Sequence, residues 1–408
     1  MIIALTEATR QQAGGKAAVL GTLARAGFPV PPGFVVPAEV YRAATSGLDL
    51  PAVLADGGPD EVRRVIESQP LAAELLPELT DHLARLGDHA VAVRSSASTE
   101  DTADSSAAGQ HDTFLGVTGP AAVAVRIPAT WASLWSSRAV AYRTAAVLEP
   151  EIAVIVQRHI DAEVAGVLFT SGGTTMIEAS WGLGESVVGG VVTPDAFIVT
   201  AEGVVYRRTG DKRTRVDRGG NGTVTATMRP EDRGRLCLDD RTLVRLARLG
   251  EEVAEHLGAP QDIEFAVEND QIWLLQARPV TAPVPGRTRG AVGTLEPGQS
   301  DLAGLQGTAG SPGLVSGPAR VVHGPEDFSR VGPGDILVCR FTDPAWTPLF
   351  GVVAGVVTET GGRLSHTAIV AREHRIPAVL GVPSAMTSIQ DGQPLILNGT
   401  TGTIHTRP

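Results

Sequence analysis

The stretch Thr358-Glu-Thr-Gly-Gly-Arg-Leu-Ser-His-Thr-Ala-Ile-Val-Ala-Arg-Glu373 leaves its chain few ways to fold. The apolar run Val352 to Val357 ahead of it reads as a buried strand, and Gly361 and Gly362 permit a tight turn. Ala368, Ile369, Val370 and Ala371 with Arg372 and Glu373 read as a helix packed on one side. Ser365 is a good N-cap residue, which sets His366 in the first helical turn, and a second strand over Pro377 to Val382 follows at once. His366 then lies beside free N–H groups at the positive end of a helix, where an anion is favoured and imidazolium is not. A neutral ring nitrogen there can accept a phosphoryl group. A packing or capping histidine fits the same residues.

The segment Gly361-Gly-Arg-Leu-Ser-His366, continued by Ala368-Ile-Val-Ala-Arg-Glu-His-Arg-Ile-Pro-Ala-Val-Leu-Gly381, resembles the phosphohistidine signature of the PEP-utilising enzymes. That family includes phosphoenolpyruvate synthase, pyruvate phosphate dikinase and rifampicin phosphotransferase. Phe341-Thr-Asp-Pro-Ala-Trp-Thr-Pro-Leu-Phe350 is similar to the segment that precedes the signature. The resemblance implies that His366 is phosphorylated, on a mobile β/β/α domain that swivels between two active sites.

Upstream, Gly14-Gly15-Lys16 is a glycine turn opening a helix that Gly27 ends. It is not a Walker A loop, which needs Gly-x-x-x-x-Gly-Lys-Ser/Thr. Only Lys16 and Lys212 are lysines among 34 basic residues, so each invites a specific reason, and a compact ammonium at a phosphate site is one. A surface lysine at an ordinary helix start is the other reading of Lys16. Val91-Ala-Val-Arg-Ser-Ser-Ala-Ser-Thr-Glu-Asp101 is a strand running into a hydroxyl-rich turn. Arg94 stands at its end, placed either to clamp a phosphate bidentately or to pair with Glu100 or Asp101. A second glycine- and hydroxyl-bearing loop, 106–115, precedes a helix from Trp131 to Arg143.

Residues 261–280 read as a hairpin with an Asn269-Asp270 turn. Asp262 and Glu264 share one face, as do Gln276 and Arg278 on the partner strand. Depending on register, Glu264 and Gln276 converge on a hard cation with Arg278 beside them, or they are solvent-facing polar positions. Before the hairpin, a helix from Asp239 to Leu257 carries Leu243, Leu246, Leu249 and Val253 on one face.

These blocks, with Ile177-Glu-Ala-Ser-Trp-Gly-Leu-Gly-Glu185 between them, resemble in order the ATP-grasp nucleotide-binding domain of the same family. The fold class implied is α/β and α+β. An ATP-grasp domain over 1–281 is followed by a flexible linker over 282–304, rich in Pro and Gly, and a β/β/α phosphohistidine swivelling domain over 305–408. The resemblance implies an ATP site lined by Lys16, Arg94, Gly109, Thr113 and Gln157. It further implies Mg²⁺ held by Glu264 and Gln276, and Arg278 at the reacting phosphates. Two departures stand out: Phe169-Thr-Ser-Gly-Gly173 where the family often writes Phe-Thr-x-x-Pro, and His159 where a methionine is usual.

Neither the pyruvate-binding barrel of the dikinases nor the large drug-binding insertion of the rifampicin enzyme reads anywhere in this sequence. The family thus implies a donor half reaction that turns ATP into AMP and phosphate. Three readings follow: transfer to a small-molecule acceptor between the domains, transfer to an acceptor on a separate protein, or a non-catalytic ATP-binding regulator. The formal charge of −11 and 4% aromatic content speak against a nucleic-acid partner. No apolar run reaches the ~18 residues of a membrane span, no signal-peptide pattern starts the chain, and Cys237 and Cys339 suggest no disulfide framework. The expectation is a cytoplasmic enzyme.

Overall fold

Alternation along one central strand explains the first lobe. In Ile152–Arg158, Ala153 and Ile155 face one way while Ile152, Val154 and Val156 face the other, all fully buried. A five-stranded antiparallel sheet therefore carries apolar residues on both faces. Its order is Ile3–Ala4, Gly33–Val36, Ile152–Arg158, Val91–Ala97, Thr113–Val117. The helix Arg10–Arg25 covers one face with Ala13, Ala17, Leu20 and Leu23. Helices Leu50–Glu67, Leu75–Arg85 and Pro120–Ala132 cover the other with Val62, Ile66, Leu79, Val123 and Ile127. The computed structural model describes residues 1–97, 112–142, 150–220, 222–280 and 304–406. The expected linker thus lies outside the described residues except for Gly304.

The second lobe is a six-stranded antiparallel sheet in the order Gln271–Pro279, Gln261–Glu268, Val164–Ser171, Thr174–Trp181, Asp195–Thr200, Gly203–Arg208. One face buries Leu168, Ile177, Phe197 and Ile263 against the helix Asp240–Leu257. That helix begins with Asp239 accepting from the Thr242 N–H (2.8 Å) and ends at left-handed Gly258. Asn269 and Asp270 both take positive φ (51° and 62°), which suits the two-residue hairpin turn expected from sequence.

The C-terminal domain orders eight strands as Gly304–Gln306, Thr403–Thr406, Pro394–Asn398, Leu314–Val321, Ile336–Cys339, Gly355–Thr358, Ala378–Leu380, Thr308–Ser311. Four of them, from Leu314–Val321 to Ala378–Leu380, are parallel neighbours. The helix His366–Glu373 is the crossover between the last two and packs Ala368, Val370 and Ala371 into the core. Together the lobes and this domain make the expected mixture of α/β and α+β layers. Among the described residues no helix is long and apolar enough to cross a membrane.

Three local expectations shift. The strand before the signature is shorter than its apolar run, Gly355–Thr358, with Val352 partly exposed in the preceding turn. The helix expected over 131–143 is broken: a helix ends at Ala132, a 3-10 turn spans Ser133–Trp135, and a short helix Ser137–Tyr142 follows. Lys212 serves no phosphate site. It is fully buried, donating to the carboxylate of Asp195 and to the Arg233 carbonyl (3.0 Å). Asp195 in turn accepts from the N–H groups of Gly210 (2.8 Å) and Cys237 (2.7 Å). Lys212→Met should cost about 3–5 kcal/mol in urea denaturation, because it leaves a buried carboxylate without its cation.

Candidate active site

Register across the six-stranded sheet assembles the polar groups. Directly opposed residues share a face, and one rung runs Gln276, Glu264, Val167, Glu178, Ala196, Arg208. The next rung on that face runs Arg278, Asp262, Phe169, Met176, Ile198, Tyr206. The face opposite the helix Asp240–Leu257 is therefore polar at its hairpin end, apolar in the middle, and carries a lone carboxylate beyond.

At the hairpin end Arg278 donates to Asp262 (2.8 Å), and both side chains are nearly buried. Burial pushes the Asp262 carboxyl up, and the Arg278 guanidinium partly offsets this. Arg94 reaches across from the first lobe, donating to the Leu275 carbonyl and to Gln276 Oε1 (3.0 Å), with the Glu264 carboxylate 3.7 Å away. Glu264 and Gln276 stand opposite each other, one carboxylate and one amide oxygen on the same guanidinium. Among the described residues no group of three or more His, Cys, Asp or Glu side chains forms a self-sufficient cage for a metal. A cation that keeps phosphate oxygens and water as its remaining ligands, as Mg²⁺ does, fits a single carboxylate with an amide oxygen.

Of the expected ATP-site residues of the first lobe, Thr113 and the Lys16 turn connect to the strand that carries Arg94. The helix bearing Lys16 breaks at Gly14 (φ 74°), and Ala17 N–H donates to Ser96 Oγ (3.0 Å). Lys16 is thereby tied to the strand that carries Arg94. Thr113 pairs in register with Arg94 and is exposed. Gln157 is turned inward, 2% exposed, its amide donating to the Pro31 carbonyl (2.8 Å), so its side chain braces the lobe. Gly109 lies outside the described residues. His159, next to that strand, is buried, which pushes its imidazole pKa down.

His366 is the first residue of its helix and 4% exposed. Ser365 occupies the N-cap position in extended backbone. Its hydroxyl donates to the Gly362 carbonyl (2.8 Å) instead of capping the helix, tightening the glycine turn. That turn rests on the polar face of the sheet. Leu364 and Ile369 pack against Val167, Phe169 and Val187. Thr360 Oγ1 donates to the Gly190 carbonyl (2.7 Å), and Gly361 N–H to that of Val192 (3.2 Å). Glu178, 3% exposed, accepts from the N–H groups of Arg363 (2.8 Å) and Leu364 (3.0 Å). Sequence reading passed over Glu178. Its signal was a carboxylate alone among apolar residues at an inward strand position, Met176-Ile-Glu-Ala179.

A nucleotide-binding lobe pair of ATP-grasp type carrying a small mobile domain is the class these elements define. Residues 10–291 match the family described as pyruvate phosphate dikinase, AMP/ATP-binding domain, and residues 331–402 match the PEP-utilising enzyme mobile domain. The chain belongs to the PEP-utilising enzyme family. It is 34% identical to a probable phosphoenolpyruvate synthase of Archaeoglobus fulgidus, over 96% of this chain and 56% of that protein. It is 36% identical to a probable phosphoenolpyruvate synthase of Methanothermobacter thermautotrophicus, over 96% of this chain and 61% of that one. The phosphoenolpyruvate synthase of Pseudomonas aeruginosa is 35% identical, over 94% of this chain and 54% of its own. The chain thus spans a little over half the length of these relatives.

The contact between the Lys16 turn and the Arg94 strand depends on an absent side chain. A Cβ on Gly14 would lie 2.2 Å from the Ser96 carbonyl oxygen, at a φ that L-residues avoid. Gly14→Ala should cost about 2 kcal/mol or more in chemical denaturation, whereas Gly47→Ala, with nothing near its Cβ, should be close to neutral.

Proposed function

We propose that this protein is an ATP-dependent phosphotransferase of dikinase type that carries the transferred group on His366 and passes it to a small-molecule acceptor. The observation behind this reading is the seating of the His366 turn on the sheet face that also bears Glu264, Gln276 and Arg278. In this proposal Lys16 and Arg94 bind the phosphates of ATP and Arg278 lies against the reacting group. Asp262 fixes the orientation of Arg278 through their ion pair. Glu264 and Gln276 would hold Mg²⁺, which supplies charge neutralisation on the phosphate oxygens. A ring nitrogen of His366 attacks the β-phosphorus and water cleaves the bond to the γ-phosphate. One bridging oxygen leaves with AMP, the other bridging bond yields inorganic phosphate, and the β-phosphoryl group stays on the imidazole. The chain's own part is positional: cations placed where negative charge gathers, in a site closed by the apolar contact of Leu364 and Ile369.

The curated relatives are named for making phosphoenolpyruvate, and pyruvate is therefore the first acceptor to supply. Product formed by the purified chain alone would place the acceptor site on it; phosphorylated protein without product would place that site on another protein.

ATP labelled separately at the β and γ positions provides the test. β-Label should enter the protein in a base-stable, acid-labile form, be absent from His366→Ala, and appear together with AMP. ADP with γ-label on the protein would make this a simple kinase, and equal labelling of His366→Ala would remove the histidine from the reaction. Arg278→Ala should slow labelling by about 10³-fold or more, and Glu264→Ala should abolish the dependence on Mg²⁺ along with the activity.

A further inference from the structure

We propose that Glu178 is the positioning residue that seats the His366 turn for the ATP half reaction, a role that rests on the reading of His366 as the phosphoryl carrier. Glu178 belongs to the ATP-grasp lobe, and both oxygens of its carboxylate are spent on the other domain. They accept the main-chain N–H groups of Arg363 and Leu364, three and two residues before His366. Two parallel bonds to consecutive amides fix a loop in direction as well as distance, which a single contact or an apolar patch does not. Glu178 stands on the same rung as Glu264 with one strand between them, about 10 Å away across the sheet.

The two glycines of the turn do different work. Gly361 has φ of 104° and supplies the bend. Gly362 is not in the left-handed region, yet a Cβ there would lie 2.2 Å from Glu178 Oε2. Its missing side chain is therefore required by the approach of Glu178, and the mobile domain is shaped to accept this carboxylate.

The electrostatics suit a contact that must form and break. Burial pushes the Glu178 carboxyl pKa up, while the two amides and the nearby Arg208 and Arg363 pull it back. Arg372, buried on the helix of His366, also senses Glu178 and is itself lowered to about 10 by burial. Desolvating the charge offsets much of what its partners contribute, so the contact specifies geometry without locking the domain down. Other contacts between the domains include Thr360 on Gly190, Gly361 on Val192, Arg208 on Thr308 Oγ1 (2.6 Å), and the Leu364 and Ile369 side chains.

The experiment is a double-variant cycle on the full chain with β-labelled ATP, read as the single-turnover rate of His366 labelling and, separately, as ATP affinity. Glu178→Ala should slow labelling at saturating ATP by about 10- to 100-fold, the scale of a misplacement near one ångström, with ATP affinity unchanged. Gly362→Ala, made in the other domain, should give a loss of similar size by pushing the same carboxylate away. The double variant should be no slower than Glu178→Ala alone, since the clash disappears with the carboxylate. Losses that multiply, or a Glu178→Ala protein labelled at the wild-type rate, would overturn the role while leaving His366 as carrier. Wild-type protein that takes no label at all would remove the carrier reading and, with it, the role built on it. Should Glu178→Ala fail to fold, normal labelling in Gly362→Ala would still refute the proposal.

Discussion

Strand register in the six-stranded sheet is the constraint on which the rest of this molecule depends. Side chains alternate with period two, so a slip of one residue in the pairing of Gln261–Glu268 with its neighbours would send Asp262 and Glu264 into the apolar core beneath. The observed register puts them with Gln276 and Arg278 on the opposite face, while Ile263 and Phe265 fill the space under it. Core packing thus selects the arrangement of the site: the energy that holds the polar groups in place comes from the residues between them.

The same sheet face is divided by chemistry. Its hairpin end is cationic and acidic in close alternation, where Asp262 with Arg278, and Arg94 with Glu264 and Gln276, leave few bare charges at the surface. Arg94 also joins the two lobes, so a phosphate arriving there would exchange with contacts that span the cleft. The apolar middle, Val167 and Phe169, receives Leu364 and Ile369 from the third domain. Beyond it Glu178 takes the two amides. The third domain thereby meets this face through polar contacts at the tip of its glycine turn and through a small apolar patch.

Much of this was legible in the chain. The glycine turn, the helix beginning at His366 and the strands around it were readable because local rules coincide there: flexible residues at the bend, an apolar stripe on the helix, β-branched runs on both sides. The hairpin with its Asn269-Asp270 turn was readable for the same reason, but the pairing of Asp262 with Arg278 and Glu264 with Gln276 was not: counted from the turn, Glu264 would face Leu275, and a bulge between Glu264 and Phe265 shifts the register by one residue. Ser365 was read correctly as to place and incorrectly as to bond, since its hydroxyl had two local partners to choose from and took the Gly362 carbonyl. The rarity of Lys212 invited a specific reason, and that reason is a buried ion pair, which nothing local announces.

By itself the sequence determined the turns, the helix and strand periods and the setting of His366 at a helix start after a glycine turn, because each depends on residues within a few positions of one another. Only the tertiary structure decided which groups meet. Glu178 and the Arg363 and Leu364 amides are nearly two hundred residues apart along the chain, as are Arg94 and Gln276. Gln157, which the resemblance places at the ATP site, donates to the Pro31 carbonyl, a partner 126 residues away that its buried amide finds between two neighbouring strands. Contacts of that kind are set by how sheets stack and which faces are covered, and a period along the chain carries no record of them.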